Sequence, residues 1–139
     1  MRKSDGLCKL CNDGLENLEH LFYSCNKLSS LWGDLAKLIN SIFDIQVVVN
    51  YKMIILGDQV GPELIYNITN MLISMLKWEI WLRRNEYVFE NTFKSAETVW
   101  ETFRYKTKNH CITLTQSKNI IKKISGLDTH LSIIIAALV

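Results

Sequence analysis

The chain has one proline, six glycines and no apolar run long enough to cross a membrane. A spanning helix needs about 20 apolar residues, and the C-terminal run LSIIIAALV has nine. Few breakers leave long segments free to be helical. The polar start MRKSDG has no apolar run behind it. A secretory signal is therefore not expected and an intracellular location is. There is no Gly-rich phosphate loop, no Gly-x-Ser-x-Gly and no His-Glu-x-x-His, so neither an enzyme nor a small-molecule substrate is expected. An excess of one charge is also missing. The formal net charge is +2 over 139 residues, too little to argue for a partner. With 48% apolar residues the chain can bury a core and is not disordered. Its length allows one domain, or a small metal module with a helical body.

Cysteine is scarce but concentrated. Three of the four cysteines and one of the three histidines fall in the stretch CKLCNDGLENLEHLFYSC, as Cys8, Cys11, His20 and Cys25. The spacing is Cys-x2-Cys-x8-His-x4-Cys. Three thiols and an imidazole are the ligand set of a closed tetrahedral zinc site. The Cys-x2-Cys half lets both sulfurs reach one ion from a tight turn. The His-x4-Cys half puts two more ligands about one helical turn apart. One structural Zn2+ is the expected cofactor. A disulfide framework suits an exported chain and fits this one poorly. Iron–sulfur ligation rarely uses histidine, and a packed core histidine is the bland reading of His20. Cys111 stands apart as a free thiol. It neighbours His110, but adjacent helical residues point about 100° apart, which argues against a nucleophile with its base.

The expected fold class is mainly α: a small zinc-stabilised N-terminal module leading into a bundle of amphipathic helices. Asn12 and Gly14 can take left-handed conformations in the metal loop. Asn17 reads as the N-cap of a short helix carrying His20, Leu21 and Phe22. Leu28, Leu31, Trp32, Leu35, Leu38, Ile39 and Ile42 form one apolar stripe at helical spacing. Ile45, Val47 and Val49 alternate, which predicts a short extended stretch, and MIILG is a further apolar piece expected against the preceding helix. Gly61-Pro62 opens the longest helical signal, with Ile65, Thr69, Leu72, Leu76, Ile80 and Arg83 on one face. It ends or bends between Asn85 and Phe93. Ser95 caps a further helix through Val99, Trp100 and Phe103. The domain reading is a zinc module over 1–43, a helical body over 44–111 and a tail over 112–139.

Two segments carry a family resemblance. CKLC, Glu16, EHLFYSC and Leu31-Trp32 resemble the zinc-binding domain that follows the reverse transcriptase in non-LTR (LINE-like) retrotransposon polyproteins of plants. KWEIWLRRNEYVFE, residues 77–90, resembles the IW-x-x-RN-x-x-hydrophobic-F segment that follows the zinc motif there. The resemblance covers roughly residues 5–104. It departs at Asn12, where the family often has glycine, and residues 112–139 lie outside it. The paired aspartates of the polymerase and the carboxylates of ribonuclease H are absent. The resemblance implies a non-catalytic accessory module, here a detached or truncated piece. Its expected partners are RNA or DNA and the reverse transcriptase portion of the parent polyprotein, with no membrane.

Charge distribution bears on those partners. Residues 1–76 carry six Lys/Arg against eight Asp/Glu, and residues 77–139 carry ten against six. Between Cys8 and Cys25 only Lys9 opposes Asp13, Glu16 and Glu19, so the metal loop is a poor phosphate binder. Arg104, Lys106, Lys108, Lys118, Lys122 and Lys123 form a run without an acid. The candidate nucleic-acid contacts are Arg83, Arg84, Arg104, Lys106 and Lys108, with Trp78 and Trp81 as stacking surfaces. The competing reading puts those tryptophans in the core and pairs the arginines with neighbouring glutamates. It leaves a structural or docking module that packs on the polymerase. A contiguous basic face separates the first reading from the second.

Overall fold

The computed structural model describes residues 6–46, 48–57, 62–117 and 127–138. It is mainly α-helical, and a Cys/His cluster near the N-terminus leads into a helical bundle. The helices are α1 (Ser29–Phe43), α2 (Glu63–Glu90), α3 (Ala96–Thr115) and α4 (Leu127–Ala137). Two single wide turns, His20–Ser24 and Lys52–Leu56, flank α1 in the chain. Among the described residues no strand forms; there is one isolated bridge, Leu7 to Leu15, at the neck of the metal loop.

Local chemistry sets the helix boundaries. α1 buries Leu31, Trp32, Leu35, Leu38, Ile39 and Ile42, the stripe read from its spacing. It ends where Asp44 turns left-handed at φ 53°, a conformation that a short polar side chain tolerates. α2 begins after Pro62 and stops at Asn91, also left-handed at φ 53°. Its end thus falls inside the expected 85–93 window. Ser95 caps α3: its hydroxyl accepts from the Thr98 amide at 3.1 Å. That satisfies one of the four amides a helix start leaves open.

The expected extended stretch is a correction. Residues 45, 46 and 48–50 are irregular, and Val47 lies outside the described residues. The Asn50 side chain accepts from the Met53 amide at 3.1 Å and starts a helical turn instead. A lone strand also has no neighbour here with which to form a ladder. The MIILG piece is that turn, closed by Gly57 at φ 69°. It packs on the His20–Ser24 turn and on α2. Lys77 ties it down by donating to the Ile54 carbonyl at 3.0 Å.

One core joins the parts. Leu28, Leu31, Leu35, Leu72, Leu76, Ile80, Phe103, Leu131 and Ile134 are almost wholly buried, in the same cluster as Cys8 and Cys25. α4 packs on α3 and α1, so residues 131–137 of the C-terminal run are helical and cover the bundle. Each such side chain is worth about 1.5–3 kcal/mol when fully buried. No helix among the described residues is long and apolar enough to cross a membrane.

Candidate metal centre

The loop geometry brings the four donors together. The Cys8 amide donates to the Gly14 carbonyl at 2.7 Å, and the Asn12 amide donates to the Cys8 carbonyl at 2.9 Å. The second bond closes the Cys-x2-Cys turn, with Asn12 left-handed at φ 56°. Asparagine thus takes the conformation expected of it. Gly14 does not: its φ is not positive, and it serves by close approach. A Cβ added there would lie 2.7 Å from His20 Cε1 and 2.8 Å from Nδ1. On the far side Asn17 Oδ1 accepts from the His20 amide at 2.8 Å, so it caps the helical turn as read. The Trp32 indole then donates to the Phe22 carbonyl at 2.8 Å, tying the ligand-bearing turn to α1.

The ligand atoms of Cys8, Cys11, His20 and Cys25 all lie within 4.8 Å of one another. Cys8 Sγ and Cys25 Sγ are 3.9 Å apart, and Cys11 Sγ is 3.3 Å from His20 Nε2. Zinc–sulfur bonds of about 2.3 Å and zinc–nitrogen bonds of about 2.05 Å imply tetrahedral edges of about 3.8 Å and 3.6 Å. The two measured edges fit. The remaining separations need movements of about 1 Å or less to close on such an ion. All four cysteines are free, and 3.9 Å is far beyond the roughly 2.05 Å of a disulfide. The set can hold a metal ion and suits zinc.

The electrostatics agree with a cation site. Burial disfavours the Cys11 thiolate, but the Asp13 and Gly14 amides and the His20 ring outweigh it, so its pKa falls to about 6. Cys25 goes the other way. Burial, with Cys8 and Cys11 beside it, pushes its thiol up to about 12. A cation among the sulfurs would offset what opposes the Cys25 thiolate. Cys111 is a different case: apolar burial alone raises it to about 11, and it sits in the core as an inert thiol. His110 is exposed and Cys111 buried, so the two face apart as helix geometry requires.

The candidate nucleic-acid residues do not assemble. Arg83 is 2% exposed. Arg84 pairs with Glu16 at 2.5 Å and lies over the Trp81 ring. Arg104 pairs with Glu101 at 2.9 Å, and Lys106 with Glu79 at 2.5 Å. Lys108 is half-buried. Lys118, Lys122 and Lys123 lie outside the described residues. The tryptophans divide: Trp78 is 57% exposed and Trp81 half-buried. The link between Glu16 and Arg84 was missed in the sequence. Both residues stood in the motifs read there, 68 positions apart, and no pattern within either segment points to the other.

Comparison with models of known families, with curated proteins and with solved structures returned no match.

Proposed function

We propose that this chain is a non-catalytic zinc-binding module, with one structural Zn2+ held by Cys8, Cys11, His20 and Cys25. The convergence of those four donors, all within 4.8 Å, is the observation that carries this reading. Four protein ligands leave no position for water or substrate, so the ion's work is to hold structure. It joins the metal loop, the His20–Ser24 turn and the start of α1, and so fixes the first face of the bundle.

The module's role on this reading is docking. The family resemblance supplies the neighbour: the reverse transcriptase portion of a retrotransposon polyprotein. Side-chain pairing favours docking over gripping nucleic acid. Of the five candidate cations, Arg83 is buried and Arg84, Arg104 and Lys106 are paired with acids of the same chain. Exposed Trp78, Phe89, Phe93 and Tyr105 are apolar surface of the kind a partner covers.

One observation keeps a second reading, in which the module binds single-stranded nucleic acid. Trp78 borders a groove of about 320 Å³ lined also by Phe22, Lys77 and Trp81. Aromatic faces beside cations stack bases without sequence preference. The test is the zinc content of the folded, reduced protein, followed by its binding to a structured RNA and a single-stranded DNA. Binding is read by fluorescence anisotropy at two salt concentrations, with and without chelator. One zinc per chain and no binding at low salt is the result expected of a docking module. Micromolar, zinc-dependent binding that weakens with salt transfers the conclusion to the second reading. Well under one zinc per folded chain overturns both.

A further inference from the structure

α2 buries a cation that has no carboxylate partner among the described residues. Arg83 is 2% exposed, and its Nε and Nη1 make no hydrogen bond. It lines a cavity of about 40 Å³ whose other charged walls are Glu79, Glu86, Lys94 and Lys106. Glu79 and Glu86 stand one turn before and one turn after Arg83 on α2, and lysines take both. Lys106 of α3 lies 2.5 Å and 3.3 Å from the two oxygens of Glu79. Lys94, in the connection between α2 and α3, lies 2.8 Å and 3.1 Å from those of Glu86. The Arg83 guanidinium carbon is 5.6 Å from the centre of the Phe93 ring, an attraction but not a neutralising charge.

The charges around the cavity do not balance. Three cations face two acids, a surplus of one positive charge. Arginine keeps its proton when buried, and a buried charge left unpaired is strongly destabilising. Water can complete the hydrogen bonds of the guanidinium but brings no charge. An anion supplies both, and hydrogen bonds between ionised groups are about twice as strong as neutral ones. Size then sets the class of anion. About 10–15 Å³ of such space holds one water, so a cavity of about 40 Å³ takes a single small ion and excludes a nucleotide or a peptide. Arg83 forms its closed end. Lys94 and Lys106, with side chains 38% and 47% exposed, form the end that an ion reaches from solvent.

We propose that this cavity binds a small monovalent inorganic anion such as chloride, held by the Arg83 guanidinium and flanked by Lys94 and Lys106. The ion balances the surplus charge and ties α2 to the connection after it and to α3. The site stands on its own walls and does not depend on the zinc reading. It gives Arg83 an internal ion, where the sequence suggested a surface contact to phosphate. Its affinity follows the charge of its walls: losing the arginine abolishes binding, and losing an acid strengthens it.

The test uses the full chain with zinc supplied. Thermal unfolding is followed by circular dichroism while chloride replaces isethionate, an anion too large for the cavity, at constant ionic strength. General screening is thereby held fixed. The expected result is a saturable rise in the unfolding midpoint, half complete at millimolar chloride, as for a ligand that binds only the folded state. Arg83→Met, which keeps bulk and removes charge, shows no such rise. Glu86→Gln removes one acid from the wall and binds chloride at least about fivefold more tightly, the low end for coupled sites. Bromide soaked into crystals gives an anomalous peak within hydrogen-bond distance of Arg83. A parent chain without chloride dependence overturns the proposal, and so does an equal rise in Arg83→Met. If Arg83→Met does not fold, Glu86→Gln decides, and an affinity unchanged or weakened there overturns the proposal. A bromide peak with no saturable effect in solution marks an adventitious ion only and overturns it as well.

Discussion

Replacing Gly14 by alanine tests the metal centre through a single methyl group. The backbone at Gly14 is not left-handed, so the substitution brings no φ penalty, and its effect isolates the contact with His20. The new Cβ would stand 2.7 Å from His20 Cε1, where ordinary contact begins at 3.4 Å. The ring must therefore withdraw by at least about 0.7 Å, whereas metal–ligand distances tolerate about 0.2 Å. His20 cannot meet that demand by sliding alone, because its amide is held by Asn17 and its turn by Trp32. The expected outcome is a zinc affinity reduced about 10–100-fold, comparable to losing an outer-shell support. The assay is chelator competition, with helicity followed by circular dichroism. Gly33→Ala is the control: nothing lies within 4 Å of a Cβ there. As an exposed glycine within the helix, it should stabilise α1 by about 0.5–1 kcal/mol on replacement and leave zinc affinity alone. Wild-type zinc affinity in Gly14→Ala would refute the geometry of this site.

Trp32 supports two graded expectations. Trp32→Ala should cost about 3–5 kcal/mol through the lost burial, and Trp32→Phe about 1 kcal/mol more than packing alone, through the hydrogen bond to Phe22. Urea unfolding of zinc-loaded protein measures both, and an alanine effect below about 1 kcal/mol would mean an exposed ring. Cys25→Ser should lose the metal and amide-exchange protection over residues 6–25, since metal binding supplies much of a small module's folding energy; unchanged protection would sink that link. Glu16 gives a pH signature. Burial opposes its carboxylate, but Arg84 and Lys9 outweigh this and hold its pKa below the ordinary 4.5. A lowered folded-state pKa stabilises above the unfolded value and is lost as pH falls through the folded one. The stability gap between the parent chain and Glu16→Gln should therefore be steady above about pH 5.5, at about 1 kcal/mol. It should narrow below 4.5. A gap that widens in acid would contradict the pairing with Arg84.

The ligand set was legible because metal chemistry is local. Four donors in eighteen residues needed only turns to meet, and Asn12 and Asn17 announce those turns through their own side chains. The helices were legible because periodicity and caps act within a few residues, as at Ser95 and along the α1 stripe. The alternation at Ile45, Val47 and Val49 misled, because a strand exists only with a neighbour and Asn50 offered a helical turn instead. Gly14 was read for its conformational freedom and is needed for its missing side chain.

The sequence by itself determined which residues can ligate a metal, which faces are apolar and where helices start and stop. Each of these is a property of a short stretch of chain. Only the tertiary structure decided which charges are spent. Arg83 and Arg84 are adjacent and chemically identical in the sequence, yet one points into the core and the other reaches Glu16. That difference follows from the 100° step of a helix and from which neighbours pack on each side of it. It is also why, of five cations that read as a surface for phosphate, Arg84, Arg104 and Lys106 became internal pairs once folded and Arg83 a buried charge.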